Sequence, residues 1–207
     1  MRFATLLLLT AALAAQDAPR IVYSKSFPQS SLPFVSITVE KSGKTEYKEA
    51  PDDPQPISLQ LTETETTSIF ELADKLDRFN RRLESGLKVA NMGMKSFRYE
   101  GGGQNHEVKF NYTQDADAQL LADWFERITE TIQHSINLEK TAKFDRLGVD
   151  RALINLQVSV ERNRLAGAEV LLPMLDRVAK GSAYMNRARE RAASIAEYIR
   201  SGKQKSE

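Results

Sequence analysis

The 207-residue chain contains no cysteine. Disulfides, thiolate metal sites and thiol nucleophiles are therefore excluded, and so is a lipid anchor built on a cysteine behind a leader. Histidine is scarce, with only His106 and His134, so proton transfer near neutral pH has few carriers. Charge of one sign is missing as well: 29 Lys and Arg face 28 Asp and Glu. Residues 15–113 hold 13 basic and 14 acidic side chains, and residues 114–207 hold 15 and 14. Neither half carries the positive field of a nucleic-acid binder. Beyond the first fourteen residues no apolar run approaches the roughly 20 residues that span a bilayer, so no membrane insertion of the mature chain is expected.

What is present begins with a leader pattern. Arg2 precedes an apolar run over residues 3–13, interrupted only by Thr5 and Thr10. Ala12, Leu13 and Ala14 then supply the small-x-small pattern that a signal peptidase accepts. Residues 1–14 read as a secretory signal cut after Ala14 or Ala15. Small eukaryotic secreted domains usually carry disulfides, so a cysteine-free exported chain fits a bacterial envelope, periplasmic or secreted. The roughly 190 mature residues are enough to bury a core without covalent staples.

Residues 20–113 read as an antiparallel sheet with one packed helix. In residues 34–40, Val35, Ile37 and Val39 alternate with polar neighbours, the period of a strand with one wet face. Residues 41–44 form a turn, residues 45–50 return, and the proline-rich residues 51–56 make a loop. Residues 57–62 alternate again, and the run from Ile21 to Phe27 is expected as an edge strand. The period then changes: Ile69, Leu72, Ala73, Leu76, Phe79 and Leu83 fall at helical spacing. A helix over 67–83 is predicted, capped by Ser68 with Glu71 or by Thr66 or Thr67. Phe97 and Tyr99, then Val108, Phe110 and Tyr112, alternate on either side of Gly101, Gly102 and Gly103. This reads as a β-hairpin with aromatics paired across the ladder and either Glu100 opposite Lys109 or Arg98 opposite Glu107. A phosphate cradle would need the glycines to lead into a helix, and a strand follows instead.

Residues 114–201 read as about four helices. Leu121, Trp124, Phe125, Ile128, Ile132 and Ile136 predict a helix over 116–143, capped by Asp115 or Asp117. Gly148 interrupts it. Leu153, Leu156 and Val160 mark a second helix, residues 170–179 a third with Pro173 near its first turn, and residues 184–200 a fourth with Ala188, Ala192, Ile195 and Ile199 inward. The polar residues 202–207 read as a disordered tail. The fold class is thus α+β, segregated, with sheet and helices as one domain or two.

Each motif that could carry chemistry lacks a required part. Ser85 and Lys88 match S-x-x-K, but Ser85 ends a predicted helix where that motif begins one. Asp115, Asp117, Gln119 and Glu126 have the offsets of a calcium loop, yet Leu120 stands where glycine is required. Asp52 and Asp53 form a carboxylate pair in a solvated loop. His134 shares a helix face with Glu130, the pattern of a surface ion pair. No catalytic set, metal-ligand set or cofactor motif emerges. The expected function is an exported, non-catalytic envelope protein that binds an envelope protein or ligand. Its expected binding surface is the hairpin tip, Gly101, Gly102, Gly103, Gln104, Asn105 and His106, or a groove between sheet and helices, and replacing the three glycines with a shorter turn should spare folding and weaken binding. An exported hydrolase drawing on Asp52, Asp53, Asp115, Asp117, Ser85 or His106 is the alternative, and an assembly scaffold using the alanine-rich last helix is a third reading.

Overall fold

The computed structural model describes residues 18–202. The leader pattern at 1–14 with its cut, and the tail beyond Gly202, lie outside them. The architecture is α+β: a six-stranded antiparallel sheet and one helix, then four more helices. Two compact units divide the chain between Phe125 and Glu126, inside the longest helix.

In the first unit the strands are β1 (Arg20–Ser26), β2 (Phe34–Glu40), β3 (Lys44–Lys48), β4 (Ile57–Gln60), β5 (Met94–Gly101) and β6 (Gln104–Phe110), in the order β4-β3-β2-β1-β5-β6. Their register aligns two rows on the inner face. One runs Leu59, Thr45, Val39, Ile21, Tyr99, His106, and the other Ile57, Tyr47, Ile37, Tyr23, Phe97, Val108. Alternation sets these rows, because a one-residue slip would turn every apolar side chain outward. β1, expected at an edge, is central, lying between β2 and β5. Its polar residues are cross-strand partners rather than edge markers: the Ser24 and Ser96 hydroxyls hydrogen-bond at 2.8 Å.

The hairpin forms as predicted, with Arg98 opposite Glu107. Aromatics do not face one another directly, however. Phe97 opposes Val108, Tyr99 opposes His106 and Phe110 opposes Lys95. Phe97 and Phe110 meet diagonally, at 5.1 Å between centroids. Gly101 pairs with Gln104, leaving Gly102 and Gly103 as a two-residue loop with φ of 59° and 73°, the left-handed pair that suits a tight hairpin.

Helix α1 (Glu63–Lys75) starts earlier than predicted. Thr62 is the cap: its Oγ1 accepts the Glu65 N–H at 3.3 Å, and the Glu65 carboxylate accepts the Thr62 N–H at 2.8 Å. Ser68 does not cap; its hydroxyl donates to the Thr64 carbonyl. The helix also ends eight residues before the predicted 83, because Asp77, Arg78 and Phe79 all take left-handed backbone, with φ of 54°, 49° and 68°. Leu76, Phe79 and Leu83 are nonetheless buried. Their spacing reports burial correctly, but a reversed turn delivers it. Phe79 packs 5.2 Å from Phe97, and Tyr23 stacks on Phe125 at 4.7 Å, so one aromatic cluster centres the unit.

The long helix α2 (Ala116–Phe144) matches its predicted span, with Asp115 Oδ1 accepting the Ala118 N–H at 3.1 Å. The second unit continues with α3 (Val149–Glu161), a 3-10 turn (Ala168–Leu171), α4 (Leu172–Lys180) with Pro173 in its first turn, and α5 (Asn186–Arg200). The predicted third helix is therefore split at Leu172, and the fourth starts at Asn186 rather than 184. Its core joins Leu153 and Leu156 to Leu175, Val178 and the stripe of Ala188, Ala192 and Ile195. That alanine stripe is thus occupied within the unit's own core. Asp150, nearly buried, receives Arg187 Nε at 2.9 Å and Arg191 Nε at 3.6 Å.

Candidate functional site

The left-handed turn after α1 is where the backbone departs furthest from ordinary geometry. Each left-handed non-glycine residue costs roughly 1–2 kcal/mol, and such strain collects at functional positions. Burial of Phe79 holds one side of the turn. Arg78 holds the other: its Nε donates to Asp74 Oδ1 at 2.8 Å and its Nη1 to Gln104 Oε1 at 2.9 Å. The guanidinium also lies 5.4 Å from the Tyr99 ring centroid, a cation–π distance. The Asp74 hydrogen bond raises the Arg78 pKa further, so it is a permanent cation. The end of α1 is thereby tied to the first residue of β6.

Between them lies a recess of about 310 Å³ lined by Asp74, Asp77, Arg78, Asn80, Gln104 and His106. That is near the lower end of small-molecule sites, roughly 300–1,000 Å³. Every lining side chain is polar. His106 ends a row of the sheet's inner face beside Tyr99, and its Nδ1 is buried without a hydrogen-bond partner. A buried polar atom left unpaired costs about 1–3 kcal/mol and asks for an explanation. The recess offers two carboxylates, two amides, an imidazole and an engaged guanidinium, a set suited to hydrogen-bonded recognition.

Two of the six residues expected at the binding surface, Gln104 and His106, line the recess. Gly101, Gly102, Gly103 and Asn105 do not. Gly101 serves packing instead. A Cβ there would lie 2.6 Å from Pro19 Cα, so the chain needs glycine for close approach. At Gly102 and Gly103, by contrast, an added Cβ would meet nothing within 4 Å. Asp74, Asp77, Arg78 and Asn80 were missed because a continuous helix would have made them a solvated face. Asp77 was the available signal, since Asp tolerates left-handed backbone better than most residues.

The remaining candidates are dispersed. Asp53 Oδ1 accepts the Gln55 N–H. Asp115 caps α2 and pairs with Arg81, and Asp117 lies 3.8 Å from Lys75. Ser85 is not at a helix end but in an irregular segment, where its N–H donates to the Tyr112 carbonyl. Among the described residues no hydrogen bond or ion pair joins any two of Asp52, Asp53, Ser85, His106, Asp115 and Asp117. No group of three or more His, Asp or Glu side chains among the described residues is placed to hold a metal ion.

Of the structural and solvated roles expected for His134, the structural one holds: beyond its approach to Glu130 at 4.0 Å, it is tied to a second helix. It is largely buried, and its Nε2 lies 2.9 Å from Ser159 Oγ. Ser159 donates to Glu130 Oε1 at 2.5 Å, so the hydroxyl accepts from His134 Nε2–H. Hydrolytic activation needs the reverse, with the imidazole accepting the serine proton. Ser159 is also buried. Burial lowers the His134 pKa, with Glu130 opposing, and the ring is neutral at physiological pH. This trio is a structural lock between α2 and α3. Comparison of the chain with known protein families, with curated proteins and with solved structures gives no match in any of the three.

Proposed function

We propose that the protein is an exported, non-catalytic binding protein of the cell envelope, and that the recess between the end of α1 and β6 takes a small polar ligand. The observation that carries this reading is a recess whose every lining side chain can hydrogen-bond, one of which, His106, has a buried Nδ1 without a partner. The strained turn supports it, because a simple helix terminus at Gly or Asn would reverse the chain at lower cost. A polar lining disfavours a lipid or aromatic ligand, and two carboxylates beside one engaged guanidinium disfavour a phosphate.

The test is a thermal-shift panel of sugars, amino acids and nucleosides on the exported form, read through Trp124 fluorescence. A ligand at one hundred times its Kd adds about 2.7 kcal/mol to stability. At least one panel member should raise the midpoint of the wild type and fail to do so in Asp77→Ala and His106→Ala. If none does, and affinity capture from the native envelope recovers the same small molecules with wild type and both variants, the reading fails.

A further inference from the structure

The two most exposed large hydrophobic residues among those described sit together at the α2–α3 turn: Phe144 at 73% and Leu147 at 78%. Single exposed apolar residues are ordinary, but these two begin a line. Arg151, Ile154 and Val158 are spaced three and four apart, which places them on one face of α3, and Leu147 stands in the turn just before that helix. Ile154 and Val158 are exposed as well, at 41% and 38%. The apolar ridge thus runs from the turn along the outer face of the helix, opposite the face that carries the core residues Leu153, Leu156 and Val160.

The turn that presents it is closed by hydrogen bonds. The Asp145 N–H donates to the Thr141 carbonyl at 2.8 Å, and the Gly148 N–H reaches Asp145 Oδ1 at 3.0 Å. Phe144 and Leu147 are therefore held on an ordered support. The exposed charges along the ridge, over residues 143–158, are Lys143, Arg146 and Arg151 against Asp145 alone, since Asp150 is buried and paired with Arg187 and Arg191. Apolar side chains interleaved with basic ones, on a helix face and its leading turn, are the pattern of an interfacial element. The rings and aliphatic groups enter the acyl boundary while the cationic heads snorkel to the phosphates.

We propose that this ridge adsorbs the protein to an anionic lipid bilayer. Adsorption is meant, not spanning: no helix among the described residues is long and apolar enough to cross a membrane. A second copy is the less suitable occupant. Two-fold pairing through one ridge would bring the basic residues of both copies into the same interface. A surface of lipid phosphates complements the same charges, each basic residue strengthening adsorption about fivefold.

The exported form is sedimented with phosphatidylglycerol vesicles and with phosphatidylcholine vesicles. Partitioning onto the anionic vesicles should exceed that onto the neutral ones at least tenfold and weaken as salt screens the charges. Lys143→Gln with Arg146→Gln should lower it about 25-fold. Phe144→Ser with Leu147→Ser should lower it at least tenfold. All four positions are exposed, so an unchanged circular dichroism melt verifies that the variants fold. Equal partitioning onto both vesicle types, no partitioning, or full retention by the Phe144→Ser, Leu147→Ser variant overturns the proposal. So does concentration-dependent dimerisation that the same variant abolishes, which would assign the ridge to a second copy.

Discussion

Replacing Gly101 with alanine should cost about 3 kcal/mol, whereas the same change at Gly102, one residue along, should cost about 1 kcal/mol or less. Both glycines have positive φ, but their surroundings differ. At Gly102, φ is 59° and nothing lies within 4 Å of an added Cβ. Alanine there pays only the left-handed penalty, roughly 1–2 kcal/mol, less the 0.5–1 kcal/mol that glycine forfeits in the unfolded chain. At Gly101, φ is 132° and the added Cβ would stand 2.6 Å from Pro19 Cα and 3.0 Å from Pro19 N. That backbone region is close to glycine-only, at about 1–3 kcal/mol. The clash is with main chain, which cannot rotate away, and overpacking of this kind adds about 1–3 kcal/mol. The two variants should thus differ by about 2 kcal/mol, or roughly 4–8 °C in midpoint for a chain of this size. Trp124 is the only tryptophan and belongs to the first unit, so urea titration followed by its fluorescence reads that unit directly. A shifted midpoint at constant slope isolates stability from compactness. Equal losses at the two positions would refute the close approach of Pro19 to the hairpin.

Asp77→Gly relieves one left-handed residue and breaks no hydrogen bond of that side chain, so thermal melting should show a gain of about 0.5–1 kcal/mol. Arg78→Gly should show no such gain, since it severs the bonds to Asp74 and Gln104. His134 has a folded pKa lowered by burial from its ordinary 6.5. Its neutral form therefore contributes stability that is complete above about pH 6.5 and is lost as pH falls towards the depressed folded value. Guanidinium titrations between pH 7.5 and 5 should show this loss, and His134→Gln should flatten it. Asp150→Ala leaves Arg187 and Arg191 without their shared carboxylate and should destabilise the helical unit by about 2 kcal/mol in a calorimetric scan.

The sheet and helices were legible because burial imposes period, and period survives in sequence. Val35, Ile37 and Val39 mark β2 to the residue, and the stripe from Leu121 to Ile136 marks α2 almost as closely. The recess was not legible for the same reason. Leu76, Phe79 and Leu83 keep helical spacing while the backbone between them turns left-handed, and apolar spacing is blind to the sign of φ. Arg78 carries only the local signal of Asp74 four residues before it; its other partners, Gln104 and Tyr99, come from a hairpin that follows in sequence. His134 was legible in part: its spacing from Glu130 was visible, but Ser159, which hydrogen-bonds Glu130, lies on another helix.

The placement of β1 bears on how the molecule assembles in time. Arg20 touches Glu100 across 80 positions of sequence, so the seam that unites the two halves of the sheet can close only after β2, β3, β4 and α1 have been synthesised. Until it closes, the innermost strand lies open along one side, a template for any stray chain. Long-range pairing of this type is slow beside the short loops of a helical bundle. Refolding from urea should therefore restore most helical signal before Trp124 reaches its native emission, and crowding during that interval should favour aggregates grown from β1.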